Sequence, residues 1–147
     1  MAIIESTTLI RCPVNQVFEG LLDLENARDF DPEVKSVKMI GEGPIGVGTE
    51  FLFYEPTPPF GRLGYTKVTY TAIELNKRID FIARVGPLSP VGAFEFEPTE
   101  KGTRLTFRGT VRPPLLMRLF TPVMRRAAQK TWDKRLAWIK TWMEGKR

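Results

Sequence analysis

Tyr54, Tyr65, Tyr70, Arg84, Arg108 and Arg112 are the side chains best suited to act on a carbonyl or an oxyanion. A tyrosine hydroxyl can donate a proton, and an arginine can stabilise an enolate-like oxygen. The sequence has no histidine and one cysteine, Cys12. That excludes histidine-based nucleophile systems and the usual zinc sites, so neither metal nor cofactor is expected. Cys12 itself reads as a small buried hydrophobe. Strand alternation separates the other candidates. Arg84 and Arg108 fall opposite the apolar residues of their own strands, which places them on a solvated face. Tyr65 is tied less firmly to one face and is the candidate donor. Asp23, Glu25, Asp29, Asp31 and Glu33 form an acidic group. It reads as a solvated helix surface, because most charge runs are surface.

These groups need a scaffold. Residues 2–11 alternate loosely and predict a first strand. Pro13 suits the first position of a helix, and Val14, Val17, Phe18, Leu21 and Leu22 follow at helical spacing. Leu24, Ala27 and Phe30 predict a second short helix that stops at Asp31-Pro32. Strands are then expected at 34–40, 49–54, 65–75 and 79–85. A proline-rich loop is expected at 55–64, either a lid or a rigid connection. Phe94 and Phe96 alternate with Glu95 and Glu97, and Leu105 and Phe107 with Arg104 and Thr106. Residues 98–102 break the run, so 94–111 predicts a hairpin. After Pro113-Pro114 the period becomes helical again, and a helix from Pro122 to Met143 would be about 33 Å long. Its expected contacting side chains are Ala127, Ala128, Thr131, Trp132, Leu136, Ile139 and Met143.

Consecutive strands with helices gathered beside them predict an α+β domain over residues 1–147, with an antiparallel sheet covered by the long helix. The sheet face is aromatic. Phe51, Phe53, Tyr65, Phe81, Phe94, Phe96 and Phe107, with Phe120 and Met124 from the helical segment, either line a ligand cavity or fill a core. The charge is uneven. Residues 113–147 hold nine Lys/Arg and two Asp/Glu, a balance of +7, and residues 1–112 hold thirteen and fifteen, a balance of −2, which together give the overall +5. Within the basic segment, Leu115, Leu116, Leu119 and Phe120 form an apolar cluster. It is read as a buried helix start; a pocket entrance, a contact with an anionic membrane surface or a partner site are the other readings. No nucleic-acid motif occurs. The stretch MAIIESTTLIRCP lacks the charged start and long apolar run of a signal peptide, and no segment has the ~20 apolar residues of a membrane span, so the cytoplasm is the expected compartment.

Several of these stretches carry a resemblance in their order and spacing. "LIRCPVNQVFEGLLDLENARDFDPEVKSV", "GPIGVGTEF", "EPTEKGTRLTF" and "LAWIKTWME" together resemble the START-like, or SRPBCC, superfamily over nearly the whole chain. The resemblance implies a helix-grip fold: a curved seven-stranded antiparallel sheet around a long C-terminal helix, with two short helices after the first strand. It also implies binding of a small apolar or amphipathic molecule, such as a lipid, quinone or polyketide, between sheet and helix. A polyketide cyclase, dehydratase or aromatase is the enzymatic alternative. A regulatory or membrane-surface module working through the basic helix is the third.

Overall fold

The computed structural model describes residues 2–57, 61–112 and 115–145. Seven strands form one antiparallel sheet: β1 (Ala2–Ile10), β2 (Ser36–Ile40), β3 (Glu50–Thr57), β4 (Arg62–Glu74), β5 (Arg78–Arg84), β6 (Val91–Thr99) and β7 (Gly102–Val111). Their order is β1-β7-β6-β5-β4-β3-β2. From β2 to β7, chain neighbours are therefore sheet neighbours, and β1 joins the far side against β7. Between β1 and β2 run α1 (Val14–Leu22), a 3₁₀ turn (Leu24–Asn26) and α2 (Ala27–Phe30), so these helices link the two edges of the sheet. A second 3₁₀ segment (Leu115–Phe120) leads into α3 (Thr121–Gly145).

Period-two burial makes the sheet one-sided. In β7, Thr103, Leu105, Phe107 and Gly109 are buried and the residues between them are not. In β3, Phe51, Phe53 and Glu55 are buried. This face packs on Leu136, Ile139 and Met143 of α3 and on Val17, Phe18 and Leu21 of α1. Ala127, expected in that contact, is exposed. The outer face carries ion pairs instead: Arg108 reaches Glu95 and Glu5, and Arg78 reaches Asp80 and Glu95.

Both edges of the sheet are closed by side chains from the helices. Arg125 Nε, Gln129 Nε2 and Lys140 Nζ donate to the carbonyls of Ile3, Glu5 and Leu9, at 3.1, 2.8 and 2.7 Å. At the opposite edge the Met39 N–H donates to Glu25 Oε2 at 2.9 Å. Unpaired edge groups invite pairing with other chains, so these contacts protect the sheet as well as dock α3. Buried Cys12 donates to the carbonyl of Met143 at 3.3 Å, fixing the far end of α3.

Two expected breaks are narrower than predicted. The loop at 55–64 shrinks, because Glu55, Pro56 and Thr57 pair with Gly64, Leu63 and Arg62. Pro56 is tolerated because β2 pairing ends at Tyr54, which leaves its nitrogen side without a strand partner. The lid reading rests on Pro58, Pro59 and Phe60, which lie outside the described residues. In the β6–β7 hairpin, Pro98 and Thr99 also stay in the strand, leaving Glu100 and Lys101 as the turn.

Tyr70 is a structural group. Its hydroxyl is buried and donates to the carbonyl of Leu22 at 2.6 Å, tying β4 to the end of α1. Burial, with a lesser push from Asp23, holds this hydroxyl well above its usual titration range, so it serves as a fixed donor. Tyr70→Phe leaves the carbonyl unsatisfied and is expected to destabilise the fold by about 1–3 kcal/mol in urea unfolding. Unchanged stability would show that water replaces the bond.

Candidate functional site

The inner face of the sheet is largely filled by rings. Trp132 of α3 stacks on Phe107 with centroids 3.5 Å apart and planes 7° apart, and meets Phe94 edge-on at 5.8 Å. Phe81 lies 5.8 Å from Phe94 and 6.2 Å from Phe107. Gly92 and Gly109, paired across β6 and β7, make room for these rings. A Cβ on Gly92 would stand 2.7 Å from Phe81 and 2.9 Å from Phe107, and one on Gly109 would stand 2.7 Å from Phe107.

Beside this stack lies a cavity of about 100 Å³. Its apolar wall comes from Leu21, Leu24, Ala27 and Phe30 on the short helices, from Phe53, Val68, Phe81, Ala83 and Phe94 on the sheet, and from Trp132 and Ile139 on α3. One corner is polar, formed by Asp31, Glu55, Thr66 and Arg135. The space is smaller than the ~150 Å³ that holds a benzene ring in an engineered core. A wider depression of about 530 Å³ on the outer side of α3, between Arg125, Arg126, Lys130 and Lys134, is open to solvent and encloses nothing.

Arg135 is the centre of the polar corner. Its Nε stands 3.4 Å from Asp31 Oδ2 and an Nη stands 3.6 Å from Glu55 Oε2. Both are ion-pair distances too long for good hydrogen bonds, so among the described residues donors of the guanidinium fork are left for a third group. Its charge also sits 4.8 Å over the Trp132 ring. Asp31 is buried and held by an Asx turn, with Oδ1 accepting from the Glu33 N–H at 2.9 Å. Burial pushes the Glu55 carboxyl above its ordinary 4.5, while Arg135 and Thr66 act the other way. The corner therefore sets a buried carboxyl, its pKa raised by burial, beside a guanidinium.

The structure distributes the sequence candidates differently. Phe53, Phe81 and Phe94 reach the cavity. Phe51, Phe96 and Phe107 are core: Phe51 packs on Tyr70 at 5.5 Å, Phe96 on Phe18 at 5.3 Å, and Phe107 under Trp132. Phe120 is 60% exposed, and Met124 is half-buried away from the cavity. Tyr65 is 62% exposed on the outer face, its ring 5.0 Å from Tyr54. Its neighbours Thr66 and Val68 take the inward positions, which gives Tyr65 no path to the cavity as a donor. Arg84, Arg108 and Arg112 are exposed. Asp31 is the departure from the acidic-surface reading, since α2 ends by turning it inward. Arg135 and Glu55 carry no expectation from the sequence.

A family model described as polyketide cyclase/dehydrase and lipid transport matches residues 1–144. The chain belongs to this family. Solved structures agree in fold. A START superfamily protein from Mycobacterium smegmatis superposes with a TM-score of 0.82 at 14% identity, over 100% of both chains. The di-domain ARO/CYC StfQ of the steffimycin biosynthetic pathway gives 0.78 at 19% identity, with 99% of this chain covering 51% of that one. A protein from Thermus thermophilus gives 0.75 at 18% identity over 96% of each chain. No curated protein matches the chain. Among the described residues, no helix of this family member is long and apolar enough to cross a membrane.

Proposed function

We propose that the chain, as a single cytoplasmic domain, binds a small apolar or amphipathic organic molecule of the lipid, quinone or polyketide kind between the sheet and α3. The observation that carries this reading is the cavity's polarity. Its walls are apolar except for one corner, where among the described residues Arg135 keeps hydrogen-bond donors unspent. An apolar body with one oxygen-bearing end fits that pattern. The family's description, which covers both polyketide chemistry and lipid transport, supports it at the same coarse level. A whole ligand is larger than the present space, so Trp132 swings from the Phe107 face as the ligand enters.

The enzymatic alternative, a cyclase or dehydratase, gains support from Glu55. Its buried carboxyl lies beside Arg135, which can polarise a carbonyl while a neighbouring acid or base moves the proton. This pair takes the role that the sequence suggested for Tyr65.

Methyl NMR tests the binding reading. Titration with decanoate, a naphthoquinone and an anthraquinone should shift the methyls of Leu21, Leu24 and Val68 for at least one of them. Ala83→Phe fills the cavity and should weaken that binding about tenfold or more, a change of about 1.4 kcal/mol. Equal binding by the folded variant, or shifts confined to surface methyls, would refute it.

A further inference from the structure

The start of the C-terminal helical region presents an unusual surface. Leu115, Leu116, Leu119, Phe120 and Val123 are 74, 88, 88, 60 and 68% exposed. The expectation of a buried helix start is overturned here: the 3₁₀ segment turns these side chains outward. Five large apolar side chains within nine residues make one exposed apolar strip of the surface. A stripe of large apolar side chains in water is costly and marks an interaction surface.

The surrounding charge says what covers it. Residues 112–132 contain Arg112, Arg118, Arg125, Arg126 and Lys130 and no Asp or Glu. The described arginines and the lysine of this stretch are exposed. Two copies docking through this surface would bring five cations against five, so a symmetric dimer is disfavoured. An anionic lipid surface satisfies both features: acyl chains take the leucines and phenylalanine, and headgroups take the cations. The location is also suitable. By strand register, the same end of the sheet holds the end of β3, the start of β4 and the end of β7, with Leu63 and Ile3 also about half exposed. The patch is thus an end of the molecule, free to lie flat on a bilayer.

We propose that this stripe and its arginines dock the protein reversibly on anionic membranes. The proposal stands on surface residues and is independent of what the cavity holds. Vesicle flotation is the test, using phosphatidylcholine alone and with phosphatidylglycerol. Binding is expected only to the anionic vesicles, and to fall steeply with added salt. Arg118→Gln with Arg126→Gln should weaken it roughly 25-fold, and Leu116→Ser with Leu119→Ser about tenfold or more. All four side chains are exposed, so both variants should keep the wild-type melting temperature. No binding to anionic vesicles at low salt would overturn the proposal, as would binding that both variants retain. So would a wild-type dimer that the leucine variant dissociates, which would assign the stripe to a second copy.

Discussion

Arg135→Met is expected to destabilise the fold by about 3–5 kcal/mol at neutral pH, because it strips two buried carboxylates of their counter-charge. The Asp31 and Glu55 side chains are only 4% and 11% exposed, so water cannot replace the guanidinium well. Methionine keeps most of the volume, which separates lost charge from lost packing. The deficit should shrink as the pH falls and the orphaned Glu55 carboxylate takes up a proton. Glu55→Gln isolates one of the two. The folded Glu55 titrates above its ordinary 4.5, so its contribution is fully present below 4.5 and is lost as the pH rises through the folded value. Glutamine cannot ionise, so the variant should match the wild type near pH 4 and be the more stable of the two at pH 8. Urea unfolding at several pH values measures both. An Arg135→Met deficit that is small, or the same at every pH, would show that the corner is wetter than the geometry implies.

Trp132→Ala is expected to destabilise by about 3 kcal/mol, the low end of the range for large aromatic truncations, because Trp132 is only half-buried. The indole covers Phe107 face to face, touches Phe94 by its edge and carries Arg135 over its own face. Its removal joins the vacated space to the 100 Å³ cavity. Two readouts should therefore move in opposite directions: stability falls, and uptake of a flat aromatic such as the anthraquinone improves. A stability loss with no gain in uptake would mean that Trp132 is a core residue and not the gate of a site.

The alternation of Phe94, Phe96, Leu105 and Phe107 is enough to predict the hairpin and its buried face, because a one-sided sheet enforces period two. The helix start at Pro13 is an equally local signal. The polar corner is not local. Arg135 sits among Lys134, Trp138 and Lys140 on a helix with charges around most of its circumference, so its inward phase depends on which side meets the sheet. Glu55 hides in a proline-rich stretch that reads as loop, and it is buried because β3 continues in register with β4, which keeps it in phase with inward Phe51 and Phe53. Asp31-Pro32 reads correctly as a helix stop, yet nothing in the dipeptide says which way the carboxylate turns. Tyr65 has a usable signal: Thr66, Val68 and Tyr70 form the inward set of β4, which puts Tyr65 outside. The leucine stripe defeats a sequence reading for a different reason. Apolar side chains at a helix start are buried in most folds, and here the 3₁₀ turn faces solvent.

On the proposed function, the space beside Trp132 and Arg135 takes a ligand. Gentle-ionisation mass spectrometry of the freshly purified chain, followed by solvent extraction, tests it most directly. The expected result is an added mass that extracts as an apolar molecule bearing an oxygen function, and that is missing from Ala83→Phe. A bare chain mass, with none retained after incubation with decanoate, the naphthoquinone or the anthraquinone, would contradict it.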